Sequence, residues 1–133
     1  MVLVDSNVLL DIFDPESDWH EWSAEQLRIQ AERDHLAINP IIYAEISIRF
    51  VSLSELNAQL PETLYERLSL PFEAAHMAGQ AFKAYRSRAG TKTAPLPDFY
   101  IGAHALFSGM KLLTRDQNRY TTYFPKLEII APA

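Results

Sequence analysis

Short unbroken apolar runs alternate along the chain with longer stretches in which apolar residues recur every three or four positions. Val2-Leu3-Val4 and Leu36-Ala37-Ile38 have the residue types and brevity of strands buried on both faces, and Lys111-Leu112-Leu113 and Leu127-Glu128-Ile129-Ile130 read as two further strands. Between them the 3.6-residue period predicts helices. One carries Val8, Leu9 and Ile12 behind caps offered by Ser6 and Asn7, and another runs from Trp19 to Arg33 with Ser17 or Asp18 as its cap. Pro40 opens a third helix, about Ile41 to Val51, apolar nearly all round. From Ser52 to Leu70 the leucines at 53, 56, 60, 64 and 68 predict two short helices, the second starting at Pro61, with a stripe suited to a core or a dimer surface. An amphipathic helix from about Phe72 to Ala89 turns Ala75, Ala78, Phe82 and Tyr85 inward, and a closely packed one runs from Pro97-Asp98 to Ser108-Gly109. Residues 87–97 lack periodicity and mark a loop, and Asn118 to Tyr120 form a short helix or turn. Strands alternating with helices predict an α/β fold, a central parallel sheet flanked by helices.

Composition narrows the class. The 133 residues suit one domain, without repeats or low-complexity segments. Asp+Glu 17 against Lys+Arg 12 gives a net charge of -5, a field that opposes nucleic acid unless local basic residues and a metal offset it. The lack of cysteine excludes disulfides and thiolate metal sites and fits a reducing cytoplasm. No signal-peptide pattern and no apolar run near the ~20 residues needed to span a bilayer is present, so a soluble, cytoplasmic protein is expected.

Four acids stand out by context. Asp5 ends the first apolar run, where the carboxyl edge of a parallel sheet gathers ligands, although it also suits a simple helix cap. Glu45 shares a helix face with Ile41 and Ile48, where an ionised group needs a cation, a donor or a solvated cleft; a salt bridge to Arg49 would serve as well. Asp98 lies in a first helical turn, which the helix dipole alone would favour. Asp116 follows Leu112-Leu113-Thr114-Arg115 and should reach the same sheet edge as Asp5. His76 reads as a partly exposed helix residue, and His104 as a core or surface histidine rather than a site residue, with the site role as its alternative.

Asp5-Ser6-Asn7 after a strand, Ala44-Glu45-Ile46, Asp98 ahead of Ile101-Gly102-Ala103, and Thr114-Arg115-Asp116 together resemble the PIN domain, and more narrowly a VapC-type toxin ribonuclease, over essentially the whole chain. Ser6 stands where that family often has Thr. The resemblance implies a three-layer α/β/α domain, a homodimer, Mg²⁺- or Mn²⁺-dependent endonucleolytic cleavage of RNA, and inhibition by a cognate antitoxin. The residues support that chemistry on their own account. Four carboxylates offer hard oxygens that suit Mg²⁺ or Mn²⁺ rather than Zn²⁺, and two like charges ~4 Å apart repel by about 4 kcal/mol at an effective dielectric of ~20. Asp5 and Asp98 are expected to ligate the metal, with Glu45 and Asp116 ligating or holding its waters. Ser6, Asn7 and Thr114 would orient carboxylates or phosphate, and Arg115, Arg86, Arg88 and Lys92 are candidate phosphate contacts or plain solvated charges.

Three other readings compete. A haloacid-dehalogenase-like phosphatase needs a second Asp two residues after the first, where this chain has Asn7. A receiver domain needs an Asp at a middle strand end and a late Lys, but Leu36-Ala37-Ile38 ends in Asn39 and Lys111 begins its strand. A non-catalytic PIN-like interaction module would use the same acids to bind a partner's arginines.

Overall fold

Five strands, β1 (Val2–Val4), β2 (Leu36–Ile38), β3 (Tyr65–Arg67), β4 (Lys111–Leu113) and β5 (Ile129–Ile130), run parallel in the order β3-β2-β1-β4-β5. The computed structural model describes residues 1–88, 90, 91 and 96–133. Among them the connecting helices are α1 (Ser6–Phe13), α2 (His20–Arg33), α3 (Pro40–Ser47), α4 (Leu53–Gln59), α5 (Phe72–Ser87), α6 (Pro97–Phe107) and α7 (Asn118–Thr121). Val2, Leu3, Val4, Leu36, Ala37 and Ile38 are all at most 2% exposed, so β1 and β2 are covered on both faces and the architecture is three-layered α/β/α. From β1 the chain winds outward through β2 to β3, whereas β4 and β5 lie on the other side. The winding therefore reverses between β1 and β4, and at such a point the loops diverge and leave a crevice at the carboxyl ends of the strands.

Local chemistry fixes the elements around that crevice. Asp5 is the N-cap of α1, its carboxylate accepting from the Ser6 N–H at 2.8 Å. Asn39 caps α3 through Ile42 N–H at 2.9 Å, with Pro40 in the first turn. Helix α6 ends on Gly109, whose positive φ of 68° suits the paired closing bonds Gly109 N–H to Leu106 O and Met110 N–H to Ala105 O. The chain then enters β4 directly and lies beside β1.

The structure departs from the pattern-based expectation at several elements. Pro61 starts no helix: Leu64 and Tyr65 N–H groups close a turn on its carbonyl, and the chain becomes the edge strand β3. Its leucines do not form one stripe, since Leu56 and Leu60 are buried while Leu53 and Leu64 are exposed. Helix α3 stops at Ser47, and Ile48 and Val51 beyond it are exposed. Helix α2 begins after Trp19 without a side-chain cap from Ser17 or Asp18, and it buries Ser23 and Gln30 beside Leu27. Helix α5 ends at Ser87, and the last strand is confined to residues 129–130. No described helix is long and apolar enough to cross a membrane.

Candidate active site

Asp5 is the anchor of the crevice. It leaves β1 with its backbone N–H bonded to Leu113 O of β4 at 2.9 Å, so the side chain emerges between the two strands where the winding reverses. Only 2% of it is exposed, and its oxygens are held from three directions. Oδ1 takes the Ser6 N–H, while Oδ2 accepts the Thr114 hydroxyl at 2.8 Å and the Tyr120 hydroxyl at 2.7 Å. Asn7 Nδ2 lies 3.2 Å from Thr114 Oγ1 and 3.5 Å from Asp5 Oδ2, and Asn7 Oδ1 accepts the Arg115 N–H at 3.2 Å. Ser6, Asn7 and Thr114 thus form a hydrogen-bonded cradle around this carboxylate.

Glu45 and Asp98 reach the same crevice from α3 and α6. Ser6 Oγ donates to Glu45 Oε1 at 2.9 Å and lies 3.5 Å from Asp5 Oδ1, and the Tyr120 hydroxyl lies 3.5 Å from Asp98 Oδ1. Each of these two acids is therefore one hydroxyl away from Asp5. Glu45 makes no ion pair with Arg49, whose guanidinium donates to Phe13 O instead. Asp116 sits at the rim: its side chain is 41% exposed and pairs with Arg119 Nε at 3.3 Å, and Arg119 also reaches Asp98 Oδ2 at 3.8 Å.

The electrostatics follow from this crowding. Burial pushes the Asp5 carboxyl above the ordinary carboxylate range, although the Tyr120, Thr114 and Ser6 hydrogen bonds and the charge of Arg119 act to lower it. Burial also raises Glu45, with the charges of Asp5 and Asp98 adding to the effect and the Ser6 bond and Arg119 opposing it. Asp98 is raised first by burial; Arg119 and Tyr120 lower it, whereas Asp5 and Asp116 raise it further. For Arg119 burial lowers the pKa, but the surrounding acids, led by Asp98 and Asp116, carry it upward overall. Three carboxyls are thus raised by burial, and the charge of Asp5 further disfavours ionisation of Glu45 and Asp98.

The sequence profile of the PIN domain matches residues 2–125. The chain belongs to the PIN domain family. Solved structures similar to this PIN domain include VapBC2 from Rickettsia felis bound to a promoter DNA fragment (15% identity, TM-score 0.73, 98% of each chain covered). FitAcB from Neisseria gonorrhoeae is another (18%, TM-score 0.71, 98% of this chain and 96% of that one), as is a toxin-antitoxin complex from Klebsiella pneumoniae (20%, TM-score 0.70, 100% and 98%). At these identities the likeness is one of fold. No curated protein sequence matches the chain.

PIN nucleases generally use divalent metal ions. Among the described residues of this PIN domain, no three acidic or histidine side chains are already drawn to ligand spacing. The donor set nevertheless fits a hard divalent cation: it is all oxygen, and a cation would relieve the unfavourable charge of Asp5, Glu45 and Asp98.

The expected basic residues are placed unequally. Arg115 donates from Nε to buried Asp11 Oδ2 at 2.7 Å and lies over the Trp19 ring, with 27% of its side chain exposed. Arg88 lies over the Tyr123 ring, Arg86 is exposed on the last turn of α5, and Lys92 lies outside the described residues. His104 is a core residue, 2% exposed, with Nδ1 accepting from Asn39 Nδ2 at 3.0 Å because Asn39 Oδ1 is already used as a cap. Sequence reasoning missed Arg119, Tyr120 and Asp11. Arg119 had a signal, its i+3 spacing from Asp116, and Asp11 had the one that exposed Glu45, an acid among the apolar positions of its helix.

Proposed function

We propose that this PIN domain is a Mg²⁺- or Mn²⁺-dependent endoribonuclease, the VapC-type toxin of a toxin–antitoxin pair. The observation that carries the reading is the meeting of Asp5, Glu45 and Asp98 in one crevice at the carboxyl end of the central strands, with Asp116 at its rim. Asp5 and Asp98 would hold the ion, and Glu45 and Asp116 would ligate it or hold its waters. Bound there, the ion supplies Lewis acidity that activates water and neutralises charge building on the phosphodiester. Ser6, Asn7 and Thr114 keep the Asp5 carboxylate oriented through the bonds described. Arg119 at the mouth, and Arg115 backed by Asp11 and Trp19, supply positive charge for RNA phosphates against the net charge of the whole chain. The VapBC, FitAcB and toxin-antitoxin neighbours support a cognate antitoxin as partner, and the family reading carries with it a homodimer working in the cytoplasm.

A second reading, a non-catalytic module whose acids grip a partner's arginine, draws support from Arg119, since a guanidinium is already accommodated between Asp98 and Asp116. Cleavage separates the two. The purified protein should cut RNA with Mg²⁺ or Mn²⁺, stop with EDTA, and lose at least ~100-fold in rate as Asp5→Asn or Asp98→Asn, a loss no smaller than that from disturbing an outer ligand partner. Equal cutting by the wild type and both variants would mean a contaminating nuclease and leave the interaction reading standing. A metal-dependent phosphatase would instead release phosphate from monoesters and leave RNA chains uncut.

A further inference from the structure

The buried phenol of Tyr120 belongs to the acidic crevice, although its ring is part of the core. The side chain is 0% exposed, and its hydroxyl lies 2.7 Å from Asp5 Oδ2 and 3.5 Å from Asp98 Oδ1. A phenol has one proton, and the short contact takes it, so Tyr120 donates to Asp5 and meets Asp98 as a near neighbour. Together with Thr114 it occupies Oδ2 of Asp5, while Oδ1 accepts the Ser6 N–H and keeps a lone pair unused by these short bonds. The carboxylate is thereby fixed in rotation, with one oxygen committed to the protein and the other able to take a further partner.

The position of the phenol is itself determined by packing. Gly102 lies one turn beyond Asp98 on α6, and a Cβ there would come 2.6 Å from Phe124 Cδ2 and 3.0 Å from Tyr120 Cδ1. Absence of that Cβ lets both rings lie against α6, which carries Asp98, and delivers the hydroxyl between Asp98 and Asp5. A phenylalanine would fill almost the same volume and keep that packing, but it would leave Oδ2 of a buried carboxylate with one fewer donor.

We propose that Tyr120 is a positioning residue that locks the Asp5 carboxylate and sets its spacing from Asp98, so that Asp5 Oδ1 is presented to a divalent cation. This inference rests on the metal-site reading of the crevice. It is tested by titrating Mn²⁺ into the wild type, Tyr120→Phe and Phe124→Leu, following the free ion by electron paramagnetic resonance, with the metal-free melting temperature of each recorded alongside. Tyr120→Phe should bind Mn²⁺ about tenfold more weakly, the size of effect seen when an outer partner of a metal ligand is removed. Phe124→Leu, which loosens the same packing without touching a carboxylate, should melt at lower temperature yet bind Mn²⁺ like the wild type. Wild-type affinity in Tyr120→Phe, an equal loss in Phe124→Leu, or failure of Tyr120→Phe to fold would each overturn the proposal by reducing the phenol to a packing group. No Mn²⁺ binding by the wild type would remove the metal reading itself, a result distinct from those three.

Discussion

Glu45 shows most directly how a side chain proposed for the site is unfavourable for the fold. Its carboxyl is raised above the usual range by burial and by Asp5 and Asp98, so the folded state takes up a proton more readily than the unfolded chain. The sign follows from linkage: whatever stability protonated Glu45 contributes is fully present below the ordinary glutamate value of 4.5 and is lost as pH rises through the higher folded value. Glu45→Gln keeps an oxygen to accept the Ser6 hydroxyl and removes the charge. The metal-free variant should therefore melt above the wild type at pH 7, with the gap closing as pH falls through the raised folded value toward 4.5. Thermal melts across pH check this, and a gap that widens toward acid would contradict it. Arg119 sits on the other side of the balance. Removing it as Arg119→Gln should narrow the pH range over which the metal-free fold is stable, because Asp5, Glu45 and Asp98 all lose a compensating charge.

Helix α1 is tied down by an acid that does none of the proposed chemistry. Asp11, 3% exposed, accepts from Ser17 at 3.0 Å, from Ser23 of α2 at 2.6 Å and from Arg115 after β4 at 2.7 Å. It joins three segments that meet beside the crevice. Asp11→Ala should destabilise the protein by about 3 kcal/mol, the low end for breaking a buried ion pair, as read from chemical denaturation. A cost near zero would mean that Arg115 finds water without strain. The elements differed in how openly the sequence announced them. β1, β2 and the apolar end of β4 are covered on both faces, and unbroken apolar runs say so. β3 is an edge strand of Tyr, Glu and Arg in which only Tyr65 is buried, and the leucines around it mimic a helical period while belonging to a helix end, a turn and the residue after the strand. In the crevice, Asp5 and Glu45 stood out in the sequence as acids beside or among apolar positions, and Asp98 as an acid in a first helical turn. Arg119 offered only its spacing from Asp116, and Tyr120 offered nothing, because its part depends on α7 settling against α6 beside Gly102, a tertiary event that leaves no local periodicity.

At the scale of the whole molecule, the proposed metal site predicts a link between ion binding and folding. If Asp98 holds the ion, saturating Mg²⁺ should stabilise the wild type by about 2.7 kcal/mol at a hundredfold excess over its dissociation constant, and Asp98→Asn should lose most of that gain. Melting curves with and without Mg²⁺ decide it, and equal shifts in both proteins would place the ion elsewhere. The order of the strands has one more consequence. β1 lies at the centre of the sheet, yet its neighbour β4 and the phenol of Tyr120 are more than a hundred positions later in the chain. While a ribosome is still making the protein, Asp5, Glu45 and Asp98 have all been polymerised before Thr114 and Tyr120 exist to seat them. A half-made chain therefore has its acids with only the Ser6 and Asn7 part of their cradle, and the crevice is completed only after its closing segment emerges.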